Sequence, residues 1–205
     1  MRNIIWLSCI LFMVACDENI VFSEPHPVKG KPLTEFPKQY TGIYVNDDST
    51  EYIEITNQKV YSFNGLSEIM ANNELPDNIA SNLPALGDTA VFEDEDEIIT
   101  IVSLGDSVWM NVAFCYFDIS DSDVLKKMGK DYYLNFETDS SMWQIIRVVF
   151  DKNKLSYYYT GEQAARVYYN DTSDSKLIIP PMKNKAFKQF WETTQDFQGE
   201  WVKVE

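Results

Sequence analysis

The sequence predicts a mainly β domain whose antiparallel strands form a meander that closes or curls into a barrel or a sandwich. Short runs of β-branched and aromatic residues recur from Tyr40 onward, separated by Gly, Asn, Asp and Ser. Helical stripes are few and short. Of the 205 residues, 45% are hydrophobic and 24% are charged, which is typical of a globular chain and not of a disordered one. We therefore expect most strands to pair with their neighbours in sequence.

The predicted strands follow the apolar and aromatic runs along the chain. These runs lie at residues 40–45, 51–56, 59–63, 88–92, 98–104, 107–117, 132–137, 142–150, 155–160, 164–169 and 176–179, with a closing strand at 200–204. Gly105 occupies the first central position of a tight hairpin between residues 104 and 107. A second hairpin is predicted with a four-residue loop at 151–154.

Two or three short helices are also predicted. Residues 65–73 and 120–129 each place a few apolar side chains on one helical face, and cap-type polar residues precede the second of these segments. The third segment, 183–194, follows two prolines near the C-terminus. Its apolar stripe predicts a helix that packs on the sheet, and it consists of Ala186, Phe187, Phe190 and Trp191.

The first sixteen residues predict export. Arg2 precedes an apolar run over residues 4–14, and small Ala15 follows it, as in a secretory signal peptide. The run is shorter than the ~20 apolar residues of a membrane span. Met13-Val14-Ala15-Cys16 resembles the lipobox of bacterial lipoproteins, with Met13 where leucine is usual. The resemblance implies cleavage before Cys16 and acylation of its thiol. The alternative is an ordinary signal peptide in which Cys16 is incidental.

These features divide the chain into a signal peptide at 1–15, a lipidated N-terminus and proline-rich tether at 16–39, and a single β-rich domain at 40–205. Four of the eight prolines and the only histidine, His26, lie in the tether. At about 3 Å per residue, an extended tether would hold the domain several tens of ångström from the bilayer. The acidic pair after Cys16 resembles tags for surface export in some bacteria and for inner-membrane retention in others. We expect the outer membrane, at its surface or its periplasmic face, rather than the inner membrane.

Charge and cysteine content restrict the partners. The net charge is -15, which argues against nucleic acid and against anionic membrane surfaces, because both require cationic patches. A basic protein partner stays open. Cys9 would leave with the signal peptide and Cys16 would be acylated, so that Cys115 would be the only thiol left and no internal disulfide is expected.

The sequence contains no familiar catalytic, cofactor or metal motif. The glycines do not fall at the spacing of a nucleotide-binding loop. With His26 in the tether, the domain has no Ser-His-Asp or Cys-His pair. The acidic run at 93–97 favours a solvent-exposed edge, and Asp118, Asp121 and Asp123 favour helix capping over a calcium loop. We therefore expect no cofactor, no metal and no catalytic residues.

The candidate binding site follows from the hairpin at 151–154. Its register places Arg147 across from Tyr158, and a strand at 164–169 would add Arg166 to the same row, about 10 Å from Arg147. Arginines beside tyrosine can hold a carboxylate, a phosphate or a sugar acid. Alternatively, both arginines pair with nearby acids or stack on tyrosine. The predicted ligand-binding face comprises Trp143, Arg147, Tyr158, Arg166 and Tyr168.

Three classes of function remain open. Gly42 and Tyr44 in an early strand, together with a late helix, resemble lipocalin-like barrels, and tyrosine-rich strands suit a glycan, an apolar molecule or an anionic small molecule. We therefore expect a non-catalytic envelope domain that binds a ligand. The alternatives are an assembly protein that presents its acidic surface to a basic partner, and a hydrolase that uses a pair of carboxylates. A roomy interior would favour ligand binding, and a solid core would favour surface interaction.

Overall fold

The computed structural model describes residues 20–47, 51–64, 68–71, 89–93, 97–104, 107–138, 141–173 and 175–204. Within these ranges the chain forms a sheet of fifteen strands and two α-helices, which confirms the predicted mainly β class. The strands are β1 (Ile20–Phe22), β2 (Pro32–Leu33), β3 (Gly42–Val45), β4 (Glu51–Ile55), β5 (Lys59–Asn64), β6 (Glu68–Ala71), β7 (Thr89–Glu93), β8 (Glu97–Ser103), β9 (Ser107–Asp118), β10 (Val124–Met128), β11 (Asp131–Glu137), β12 (Trp143–Asp151), β13 (Lys154–Thr160), β14 (Leu177–Ile179) and β15 (Gln195–Lys203). The helices are α1 (Glu162–Tyr169) and α2 (Asn184–Thr194).

The sheet is an antiparallel meander with a few additions. Its main order is β2-β10-β11-β12-β13-β15-β3-β4-β5-β9-β8-β7, and β6 pairs with β9. Strand β1 pairs with β12 on one side and runs parallel to β14 on the other. The sheet curls into a half-barrel with a concave face and a convex face.

Strand β12 shows how alternation builds the core on the concave face. Its even-numbered residues Ile146, Val148 and Phe150 are buried there, since successive side chains of a strand point to opposite faces. Tyr40 stacks on Phe150 with the ring centroids 4.2 Å apart. The buried members of this concave core come from both halves of the curled sheet and include Phe36, Tyr44, Ile55, Val60, Phe117, Leu125, Tyr132, Leu134, Leu155 and Trp201.

A second core covers the opposite face of the same strands. Ile145 of β12 and Tyr133 of β11 contact the two helices there, and Phe22 of β1 joins them. The aromatic side chains of α2 fill the space between helix and sheet, which confirms the predicted C-terminal helix, whereas Ala186 of the predicted stripe is exposed. The fully buried side chains of the stripe are Phe187, Phe190 and Trp191.

Two of the predicted helices are wrong. In the segment 120–129, β10 pairs with β11 and with β2, because Leu125 enters the concave core while its neighbour Lys126 points away from it. Strand pairing over five residues outweighs the weak helical stripe. In the segment 65–73, residues 68–71 form β6, and the remaining residues lie outside the described ranges.

The predicted strand at 164–169 is also wrong, since these residues belong to α1. Two alanines favour a helix, and Arg166 pairs with Glu162 one turn earlier. Asn170 ends the helix in the left-handed conformation, with a φ of 54°. Ala165 is fully buried, so a small residue allows the helix to approach the second core closely.

The predicted tether is wrong for residues 20–39, which are part of the fold. Strand β1 pairs with β12 and β14, and β2 pairs with β10. Phe22 and Phe36 are each only 1% exposed. Residues 17–19 thus lie between the predicted lipidation site, Cys16, and the first described strand, which begins at Ile20.

The predicted hairpin pairings are confirmed, although Asp151 pairs with Lys154, so that the loop between them has two residues and not the predicted four. Phe150 pairs with Leu155, and Arg147 pairs with Tyr158 across the same ladder. In the other hairpin, the Leu104 N–H donates to the Ser107 carbonyl at 2.8 Å. The two turn residues 105 and 106 of that hairpin lie outside the described ranges.

The ladder between β13 and β15 shifts its register beside Gly199. A Cβ at this position would collide with the ring of Trp201, which stacks on Tyr157 with the centroids 4.6 Å apart. Glycine is therefore required by space, because any larger residue forces the tryptophan out of its stack.

We expect Gly199→Ala to lower the free energy of unfolding by about 1–3 kcal/mol, the usual cost of overpacking a well-filled site. Urea unfolding followed by tryptophan fluorescence measures it. Glu200→Ala on the same strand is the control, because Glu200 is exposed and its ion pair with Lys154 is also exposed. Equal midpoints for the Gly199 variant and the wild type would contradict this account.

Candidate functional site

The concave face is not completely filled: it contains a cavity of about 530 Å³. The walls come from β4, β5, β11, β12 and β13, whose inward-facing residues are mostly aliphatic or aromatic because of the strand alternation described above. The apolar walls include Phe36, Ile53, Ile55, Val60, Leu134, Ile146, Val148, Phe150 and Leu155. Such a volume and lining are typical of small-molecule sites.

Two tyrosines connect strands of the half-barrel that are not neighbours in the sheet. Tyr116 of β9 and Tyr159 of β13 contact each other through their hydroxyl groups, although the two strands are not neighbours in the sheet. The Tyr116 ring also packs edge-on against Phe136 of β11, with the centroids 5.1 Å apart. Both tyrosines line the cavity, so this contact forms part of its wall.

One end of the cavity lies where β12 changes its partner. The β12–β13 ladder ends at the Arg147–Tyr158 pair, and Phe22 of β1 then pairs with Trp143 of β12. Strand β13 instead continues along β15 to Thr160 and leads into α1. We call the gap between the diverging ends of the two strands the β12–β13 split.

The cavity reaches this split and becomes polar there. Gln144 of β12 and Thr160 of β13 line it from the two sides, and Ile20 of β1 lines it as well. The Thr160 Oγ1 atom is buried and has no hydrogen-bond partner within the described part of the chain. A buried hydroxyl without a partner is unusual and offers a hydrogen bond to a bound molecule.

The carboxylates at this end are Glu162 and Asp196, and both line the cavity. Glu162 forms an ion pair with Arg166 at 2.7 Å and its side chain is 29% exposed. Asp196 is exposed. Neither carboxylate is therefore shielded from water.

The predicted pairing of Arg147 with Tyr158 is present, but the arginine is committed to structural contacts. Its Nη2 atom lies 2.9 Å from Asp131 Oδ2, and it also donates to Gln195. The guanidinium lies over the Tyr158 ring, 5.1 Å from the centroid. These contacts correspond to the alternative in which the arginine pairs with an acid and stacks on tyrosine.

Arg166 lies on α1 and does not extend the row, because the segment that carries it is helical and not a strand. Its guanidinium pairs with Glu162 and, at 2.9 Å, with Asp171. It also donates to the carbonyl oxygens of Ser173 and Ser175 at 2.8 and 2.9 Å. The role of Arg166 is thus to hold the segment after α1 against the helix.

Trp143 and Tyr168 are partly buried against the second core. Tyr168 packs edge-on against Phe190 with the centroids 5.3 Å apart. The face predicted to bind ligand is therefore the side of the sheet that the helices cover. Of the described residues that line the cavity, none belongs to the predicted set of Trp143, Arg147, Tyr158, Arg166 and Tyr168.

The aspartates predicted to cap a helix instead close the turn between β9 and β10. Asp118 accepts from the Ser120 N–H at 2.8 Å and pairs with Lys59 at 2.9 Å. Asp123 accepts from the Asp118 N–H at 2.9 Å, and burial raises the pKa of Asp123 to about 6. Across the described ranges, no three His, Cys, Asp or Glu side chains are grouped as metal ligands would be.

His26 is buried and links the N-terminal segment to the rest of the domain through hydrogen bonds. Its ring accepts the Met182 N–H at Nε2 (3.1 Å) and bonds the Glu24 carbonyl through Nδ1 (2.8 Å), which assigns a neutral ring with the proton on Nδ1. Its backbone N–H donates to Asn135 Oδ1 at 2.6 Å. Nearby, the buried Lys126 ammonium donates to the Pro25 carbonyl at 2.9 Å.

No family model, no curated protein and no solved structure matches this chain. Within the part of the chain that the structure describes, neither helix has the length and apolar character needed to cross a membrane.

Burial lowers the pKa of His26 below its ordinary value of 6.5. The unfolded chain therefore binds a proton below about pH 6.5 that the folded chain resists, so this residue makes the fold less stable as the pH falls. Asp123 acts in the opposite sense, because its raised folded pKa stabilises the fold as the pH falls through about 6.

We expect His26→Gln to lower the free energy of unfolding by about 1–3 kcal/mol at pH 7.5, because the imidazole bonds to Met182 and Glu24 are lost. Between about pH 7 and pH 5 the difference from the wild type should shrink, since only the wild type loses stability by protonating this ring in the unfolded state. Urea unfolding across this range measures it. A difference that stays constant with pH would contradict a buried neutral His26.

Proposed function

We propose that this chain is a lipid-anchored protein of the bacterial cell envelope whose β domain binds a small amphiphilic molecule and performs no catalysis. The observation that carries the proposal is the apolar cavity on the concave face. A roomy interior favours ligand binding over a role limited to the outer surface, and a volume of about 530 Å³ can enclose an alkyl chain or a compact apolar ring system.

The apolar walls would supply most of the binding free energy. Each methylene group removed from water contributes about 0.8 kcal/mol, so an alkyl chain of about ten carbons supplies roughly 8 kcal/mol before association costs. Those costs amount to at least about 4 kcal/mol. At most about 4 kcal/mol then remains for a ten-carbon chain, so we expect a dissociation constant on the order of a millimolar for a simple amphiphile of that length.

An anionic ligand on the helix-covered face receives no support from the geometry, because Arg147 and Arg166 already hold acidic partners. Binding in the cavity also fits better than carboxylate catalysis. A general acid needs a carboxyl group that burial keeps protonated near neutral pH, whereas Asp196 is exposed and Glu162 holds Arg166.

The lipid anchor would place the cavity next to the bilayer. Ile20 is four residues after the predicted acylation site, Cys16, and a chain of that length spans at most about 14 Å. Ile20 itself lines the cavity at the β12–β13 split. An anchored chain would thus hold this end of the cavity close to a supply of amphiphiles.

We expect Ile53→Trp to weaken binding of the neutral fluorescent probe N-phenyl-1-naphthylamine by about tenfold or more, because the indole occupies cavity volume. Ile53 lines the cavity on β4, and it is partly exposed there. The matched control is Ile43→Trp on β3, where the side chain is 42% exposed and outside the cavity. Equal probe affinity in both variants and the wild type, or no probe binding at all, would contradict a ligand cavity.

We expect the chain expressed in a bacterial host to enter the membrane fraction with acyl chains on Cys16, since two or more chains anchor a protein stably. Cys16→Ser should leave the membrane fraction, whereas Cys115→Ser should stay there, because Cys115 lies on β9 within the domain. Intact-mass spectrometry and fractionation measure this. An unmodified Cys16 thiol on the exported wild-type chain would contradict the anchor without affecting the cavity.

A further inference from the structure

The end of the cavity at the β12–β13 split has a distinct chemistry. We propose that it selects amphiphiles whose head group donates hydrogen bonds and carries no negative charge, such as a glycerol hydroxyl or an amine. This inference rests on the proposed function, since a head group is selected there only if the cavity holds the apolar body.

The first observation is the buried Thr160 hydroxyl. Strand β13 no longer pairs with β12 beyond the Arg147–Tyr158 pair. Thr160 therefore faces the cavity on that side instead of a neighbouring strand. Its Oγ1 atom has no partner within the described residues. The Gln144 amide lines the same end from the opposite strand. A hydroxyl and an amide together accept and donate hydrogen bonds, which suits an alcohol or an amine head group.

The second observation is the sign of the charge. The acidic side chains at this end are Glu162 and Asp196, and the described residues that line the cavity include no Lys, Arg or His. Arg166, which pairs with the lining residue Glu162, is also bound to Asp171 and two carbonyl groups. An anionic head group would therefore meet a carboxylate and no free cation, which disfavours it.

The test compares three ligands with the same dodecyl-length chain: monododecanoylglycerol, dodecylamine and dodecanoate. Each displaces N-phenyl-1-naphthylamine from the full chain at about pH 8, below the concentration at which the ligand forms micelles. We expect monododecanoylglycerol and dodecylamine to bind at least about tenfold more tightly than dodecanoate.

Two variants assign the preference to named groups. Thr160→Val keeps the shape and removes the hydroxyl, so it should weaken binding of monododecanoylglycerol about three- to tenfold more than it weakens binding of the probe. Asp196→Lys should reduce or reverse the preference for dodecylamine over dodecanoate. Glu51→Lys is its control, because it makes the same change of charge at an exposed position on β4 outside the lining.

The outcomes separate this inference from the function on which it rests. If the probe binds but dodecanoate binds as tightly as the other two ligands, or more tightly, the head-group selection is wrong. The cavity function is then unaffected. The head-group selection is also wrong if the probe binds but the Thr160 and Asp196 variants keep the ligand preferences of the wild type. A failure of the probe to bind overturns the proposed function and this inference together.

Discussion

The partner change along β12 is the constraint on which the rest of the fold depends. This strand pairs with β11 along its length, but its other edge pairs first with β1 and then with β13. Its side chains alternate between the concave core and the helix-covered core, so that Ile146 and Ile145 belong to different cores. Because β12 contributes side chains to two cores and pairs with three strands, it fixes the positions of the helices, the N-terminal segment and the cavity relative to one another.

The N-terminal segment is held in place by polar bonds as well as by strand pairing. His26 binds Met182 and Asn135, and Lys126 binds the backbone on either side of His26. These groups are buried and have partners, which is the condition under which burial of polar side chains is tolerated. The segment therefore completes the domain, and Ile20 and Phe22 supply part of the cavity wall.

Much of the sheet could be predicted from the sequence because it depends on local pattern. The alternation on both sides of residues 151–154 predicts the observed register, including the pairing of Arg147 with Tyr158. The aromatic stripe of α2 likewise identifies the face that meets the sheet. The sequence favours a strand over the residues of α1 because they include a tyrosine-rich run, although the alanine pair and the spacing of Glu162 and Arg166 favour a helix.

The remaining features depend on contacts that are distant in sequence. Prolines around His26 suggest an extended spacer, and only the distant Lys126, Asn135 and Met182 convert this segment into part of the domain. The sequence does not predict the cavity either. Strand alternation predicts which side chains share a face, but whether a curled sheet closes on a solid or a hollow interior depends on curvature, which alternation does not encode.

The most direct measurement is a crystal structure of the chain bound to monododecanoylglycerol that carries bromine at the end of its alkyl chain. The account predicts an anomalous bromine peak inside the half-barrel, between the walls formed by Ile53 and Val148, with the glycerol at Thr160. A bromine peak on the outer surface, or an interior filled by rearranged core side chains, would contradict it.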